Sequence, residues 1–139
     1  MAEDGRGNGT GIVSKLSPHS VEDTVTRLAD LGLERGMKLF AVIDHAAEAR
    51  GAGLEQPDAT LVIFGDPVAD TRVMLASSPL TGLDLPLRAL VWDDRGKITI
   101  SYYEPAALIA RHQVGADRAA YLSGINALTD AVISPQPTR

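Results

Sequence analysis

The chain has 139 residues, a formal net charge of −5 and no cysteine. That length predicts one domain, and the missing cysteine excludes disulfides, thiolate nucleophiles, Cys-bound zinc and iron–sulfur clusters. An acidic chain with its basic residues scattered singly repels phosphate backbones, so no nucleic-acid partner is expected. Aromatics make up only 4% against 45% hydrophobic residues, which predicts a core of Val, Leu, Ile and Ala rather than of rings.

Residues 1–10 are Gly-rich and polar and read as a disordered tail; 134–139, with two prolines, read as a second. One folded domain over 11–133 is expected between them. The first residues lack the basic start and apolar run of a signal peptide. No apolar run approaches the ~18 residues that span a bilayer. A cytoplasmic protein with no membrane partner is the expectation.

In chain order, Gly11–Leu16 is a short strand. Ser20 then caps a helix with Glu22 and Asp23 in its first turn, where the helix dipole favours acids. Val21, Val25 and Leu28 recur at helical spacing, and Gly32 or Gly36 ends the helix. Met37–Ile43 is a strand in which almost every residue is apolar, which predicts burial on both faces or on most of them. Asp44 caps a short helix from His45 to about Arg50, stopped by Gly51 and Gly53. Ala59–Phe64 is a second buried strand. At Gly65-Asp66-Pro67 the aspartate suits an N-cap and the proline a first helical position, opening a helix through Met74.

Ser77–Pro86 is irregular. Leu87–Trp92 and Lys97–Tyr103 form a hairpin whose turn, Asp93-Asp94-Arg95-Gly96, supplies the needed glycine. Ile98, Ile100 and Tyr102 alternate with more polar residues, so one face of that strand packs. Pro105 opens a short helix ending near His112. Asp117 is the expected cap of the last helix, with Tyr121, Ile125, Leu128 and Val132 as its buried stripe. This order predicts an α+β fold, a mixed sheet with helices on one face.

Ile43-Asp44-His45-Ala46-Ala47, Gly53-Leu54, Phe64-Gly65-Asp66-Pro67, Asp84-Leu85-Pro86-Leu87, Ser101-Tyr102, Pro105 and Arg111-His112 occur in this order. The ordered set resembles the DUF302 family, also called TT1751-like, over about Ile12–Val132. The resemblance implies a TBP-like fold, an antiparallel sheet with two longer helices on one face, and a tendency to form homodimers. It implies no activity. Asp66 departs from the family's usual Asn; both residues cap helices, so only a role needing an amide donor is affected.

Among residues able to carry chemistry, His45 follows a strand at the first turn of a helix, where the dipole favours a neutral ring available as base or metal ligand. Asp44 and Glu48 are near it in sequence. The plainer reading is that Asp44 caps and His45 packs locally. His112 closes a short helix, where a cationic ring is favoured. His45, Glu48 and His112 would hold a metal only if the fold gathers them, because no His-x-x-x-His spacing pre-assembles a site. Asp84, in an apolar loop, is either a brace or, if half-buried, an acid with a raised pKa suited to proton transfer. The Gly65-Asp66-Pro67 turn would bind an anion were its donors not taken by Asp66 itself. Tyr102 and Tyr103 must point to opposite faces, one into the core. His19 reads as exposed, and Met74 and Trp92 most simply as packing residues. No nucleophile elbow, P-loop or dinucleotide fingerprint is present.

Three functions are compatible with these residues. The first is a homodimeric module binding a small planar or apolar ligand, haem included, with His45, Met74, Asp84, Tyr102 and His112 as its lining. The second is a metal-dependent or general acid/base enzyme using His45 and Asp84, with Asp44 in support. The third is a structural dimer joined through the outer face of the hairpin.

Overall fold

The structure, a computed structural model, describes residues 10–134. Of the two expected tails, 1–9 and 135–139 lie outside the described residues. In chain order the elements are β1 (Ile12–Leu16), α1 (Val21–Glu34), β2 (Lys38–Asp44), α2 (His45–Gly51), β3 (Ala59–Gly65) and α3 (Pro67–Ala76). A 3-10 turn (Pro79–Leu83) follows, then β4 (Leu87–Asp94), β5 (Lys97–Tyr103), α4 (Pro105–His112) and α5 (Ala116–Val132). The strands form one sheet in the order β1-β5-β4-β3-β2, and every neighbouring pair is antiparallel. The fold is therefore α+β with a purely antiparallel sheet, and the long helices α1 and α5 pack together over one face of it.

Strand register decides which side chains meet those helices. Val13 lies opposite Tyr102, Val91 opposite Ile100, and Val62 opposite Ala89. All six are buried beneath the helices, together with Leu28 of α1 and Leu122, Ile125, Leu128 and Val132 of α5. The core is mostly aliphatic, as the low aromatic content predicts, with Phe64 and Tyr102 as its buried rings. Residues one step along each strand, such as Ile12, Leu61, Leu90 and Tyr103, point to the other face.

A cation also sits on the helix side. Lys15 is only 8% exposed. Its ammonium donates to Thr129 Oγ1 at 2.7 Å, Asp130 Oδ1 at 2.8 Å and the Asn126 carbonyl at 3.1 Å, and lies 5.2 Å from the centre of the Tyr102 ring. Three acceptors match the three donors of the ammonium. The charge is thereby satisfied where burial would otherwise be costly.

Local signals act largely as the residues dictate. The Ser20 hydroxyl accepts from the Asp23 amide at 3.0 Å and starts α1. Asp44 accepts from the Ala47 amide at 2.9 Å to start α2. Asp66 accepts from Val68 and Ala69 to start α3, so its carboxylate does occupy the donors of that turn. In the β4–β5 hairpin Arg95 and Gly96 both have positive φ, 55° and 91°, the pattern of a two-residue turn that matches strand twist.

Three expectations are corrected. β2 is not buried on both faces: it is the sheet edge, with Val42 46% and Phe40 39% exposed. A run of apolar residues does not distinguish an edge strand from a central one. Asp117 does not cap α5; Gly115 is the N-cap without a side-chain bond, and Asp117 stands one residue inside, still favourably placed for the dipole. His19 is not simply exposed, since its Nε2 lies 3.1 Å from the Ser134 carbonyl.

Leu128 is fully buried and Leu75 is 83% exposed. Leu128→Ala is expected to destabilise the fold by about 2–5 kcal/mol in urea unfolding, and Leu75→Ala to stay within about 0.5 kcal/mol of the parent.

Candidate functional site

The face of the sheet away from α1 and α5 carries a groove of about 350 Å³. Ile12 of β1, Leu61 of β3, Leu90 of β4 and Tyr103 of β5 make its apolar walls, and Arg88, Ser101 and His45 bring polar groups to it. His45 reaches the groove because α2 turns back against β3 as soon as β2 ends, burying Ala46. Beside the groove the Ser101 hydroxyl is held by Trp92 Nε1–H at 2.9 Å and pairs with the Ser14 hydroxyl at 2.8 Å. This polar ridge separates the groove from a smaller hollow of about 200 Å³ bordered by Ser14, Leu16, Trp92 and Thr99.

A second constellation gathers Asp84, Arg111 and His112. His112 Nε2 lies 2.6 Å from Asp84 Oδ2, and Arg111 Nη1 donates to the same oxygen at 3.1 Å. A carboxylate can only accept, so Nε2 carries the proton of the shorter bond. The His112 side chain is only 9% exposed, while that of Arg111 is 55% exposed. Burial alone raises the Asp84 pKa, but the bonds and charges of His112 and Arg111 outweigh it, holding the carboxyl below its ordinary value. The cluster ties the loop before β4 to the end of α4.

A third group centres on Asp70, which is 5% exposed. Tyr121 donates to Asp70 Oδ1 at 2.6 Å and accepts from the Asp66 amide at 2.9 Å, pinning the start of α3 to α5. Burial raises the Asp70 pKa despite the tyrosine bond. Burial, followed by the bond to Asp70, raises that of Tyr121 strongly. Gly65 is required here: a Cβ on it would lie 2.9 Å from the Tyr121 hydroxyl.

The candidates of the sequence thus separate. Asp84 and His112 come together with Arg111. His45 stands at the groove on the uncovered face, and neither Asp84 nor His112 lines that groove. Tyr102 borders the groove along its strand but turns its ring to the helix side, where its hydroxyl donates to Asn126 Oδ1 at 2.6 Å. Tyr103 is the tyrosine of the open face. Met74 packs against the core and the 3-10 turn, its sulfur 2.9 Å from where a Cβ on Gly82 would lie. Among the described residues no three His, Asp or Glu groups are placed to hold a metal, so His45, Glu48 and His112 do not form one cluster. Sequence reasoning missed Arg88. Its signal was an arginine at an outward position of β4, two residues from the outward Leu90.

A two-layer α+β domain with one sealed and one open sheet face defines the class. The domain-of-unknown-function model DUF302 matches residues 13–132, and the chain belongs to that family. The fold is shared with the crystal structure of an uncharacterized conserved DUF302 protein from Bacillus stearothermophilus. That match has a TM-score of 0.73 at 16% identity and covers 89% of this chain and 96% of the other. The chain is also 42% identical over 107 residues to a protein of Brucella suis biovar 1 (strain 1330) named fluoride-specific ion channel FluC 1, covering 76% of this chain and 42% of that protein. A Brucella abortus protein of the same name matches at 42% identity, with 39% of its length covered. The chain therefore spans about two-fifths of the curated relatives it matches.

The lowered Asp84 pKa sets a sign for acid response. A carboxyl with a depressed folded pKa stabilises the fold above its unfolded value near 3.8 and loses that contribution as pH falls through the folded value. Asp84→Asn is expected to cost about 1–2 kcal/mol at pH 7. The cost should vanish by about pH 2, as measured by urea unfolding across pH.

Proposed function

We propose that the chain is a small-ligand-binding module that works as a homodimer, with the ligand held in the groove of the open sheet face. The groove itself carries this reading. Its volume of about 350 Å³ falls at the small end of ligand sites, and apolar walls with a few convergent polar groups are what such sites present. Support for a dimer comes from the same face and its margins, where Leu16, Ile43 and Tyr103 are 39%, 37% and 45% exposed. A second copy laid on this face would cover them and roof the groove. A general acid/base role for Asp84 has less support, because His112 and Arg111 hold its carboxyl ionised.

Trp92, the sole tryptophan, is bonded to Ser101 of the groove and reports on it directly. Titration with a panel of small planar and apolar compounds is expected to shift its emission, and sedimentation at low micromolar protein to give a dimer. Haem belongs in the panel with a Soret readout; a porphyrin is larger than this groove and would project from it. Unchanged emission, no Soret band and a clean monomer together would remove the reading.

The Brucella relatives favour a second reading, a module that accompanies fluoride transport without itself forming the pore. No helix of the described residues is long and apolar enough to cross a membrane, and most of the length of those relatives lies outside the match. Cells deleted for this chain are then expected to tolerate fluoride less well than the parent. Equal growth of both across a fluoride series would reject the link.

A further inference from the structure

We propose that the groove takes a small amphiphile with a single carboxylate, clasped by Arg88, with its apolar body lying on Ile12, Leu61, Leu90 and Tyr103. The inference rests on the reading of the groove as a ligand site and names the class of its occupant.

Arg88 carries an uncompensated charge. Arg88 projects from β4 opposite Ile63, and the next outward residue of its strand, Leu90, lies opposite Leu61. It is half-buried and makes no hydrogen bond or ion pair among the described residues. Two other half-buried or buried cations among the described residues behave differently: Lys15 has three oxygen partners, and Arg27 donates to the Val132 and Ser134 carbonyls. Arg118, also half-buried, makes no hydrogen bond at its buried Nε but has a carboxylate beside it, Asp117 Oδ2 at 3.9 Å. A guanidinium held against apolar walls without an acceptor forgoes part of its hydration, and an anion arriving there recovers it. Among the described residues no carboxylate lines the groove, although acids outnumber bases 18 to 13 over the chain.

The number of charges on the ligand follows from the same inventory. One guanidinium presents a planar fork that one carboxylate fills with two parallel bonds. A dianion would bring a second negative charge among leucine and isoleucine side chains with only the His45 ring to meet it, at a desolvation cost a monoanion avoids. The size follows from volume. At roughly 30 Å³ for each water-sized group, about 350 Å³ holds a body of about a dozen non-hydrogen atoms. The Ser101 hydroxyl adds a polar contact at the floor, while its bond from Trp92 keeps the ligand within reach of the indole.

Decanoate, decanol and decyl phosphate share one apolar body and differ in head-group charge. Titrated against the full chain by Trp92 emission and calorimetry, decanoate is expected to bind at least about tenfold more tightly than decanol. Arg88→Gln should erase that preference. Arg88→Lys, which keeps the charge without the fork, should retain part of it. Thermal unfolding of both variants close to the parent would show that the sheet is intact. Equal binding of decanoate and decanol, tighter binding of decyl phosphate, or decanoate affinity unaffected by Arg88→Gln would overturn the carboxylate assignment while leaving the groove a ligand site. If none of the three binds, the ligand reading of the groove fails with it.

Discussion

A five-stranded sheet has two faces, and α1 and α5 cover the central strands of one of them. Their buried leucines and isoleucines close over Val62, Val91 and Ile100, and removal of that apolar surface from water is the dominant favourable term in such a fold. Every other feature takes its place from this asymmetry. Residues in register with Val13 and Tyr102 become core, and residues one step away are left on the face that α1 and α5 do not cover. Arg88, Ser101 and Tyr103 are groove residues for no reason other than their parity along a strand.

Polar groups then fasten the periphery to the sealed layer. Lys15 joins β1 to the end of α5, Asp84 joins the loop before β4 to α4, and Tyr121 joins α5 to the turn that opens α3. Two acids of these braces, Asp84 and the Asp70 that binds Tyr121, respond to pH with opposite sign. Asp84, with a lowered pKa, stabilises the fold when ionised and ceases to do so in acid. Asp70, with a raised pKa, is better accommodated when protonated, so its contribution declines as pH rises through its folded value. The two shifts therefore act against each other in acid. Part of the loss at Asp84 is offset by relief at Asp70.

Membership of the DUF302 family and the shared fold with the Bacillus stearothermophilus protein establish the scaffold. The groove residues are a separate layer of information, because 16% identity can preserve a sheet and its two helices while changing every side chain on the open face. The Brucella relatives match at 42% identity over 107 residues. Their names describe proteins more than twice that length, so the groove has to be assayed in its own right.

Much of the architecture was legible in the residues themselves. Ser20, Asp44, Asp66 and the Arg95-Gly96 turn act through atoms two or three positions away, and the stripe of Leu28, Ile125, Leu128 and Val132 follows helical periodicity; both kinds of signal are local and survive in a one-dimensional reading. The edge position of β2 was not legible, because apolar content does not say how many neighbours a strand has. The site divides along the same line. His45, Asp84 and His112 could be singled out by residue type, but which of them meet depends on contacts 28 residues or more apart, as between Asp84 and His112. Arg88 entered the groove only once strand pairing set its parity and the helices chose the opposite face. Short-range hydrogen bonding and periodicity are written in the order of residues, whereas the choice of which face is sealed belongs to the packed chain.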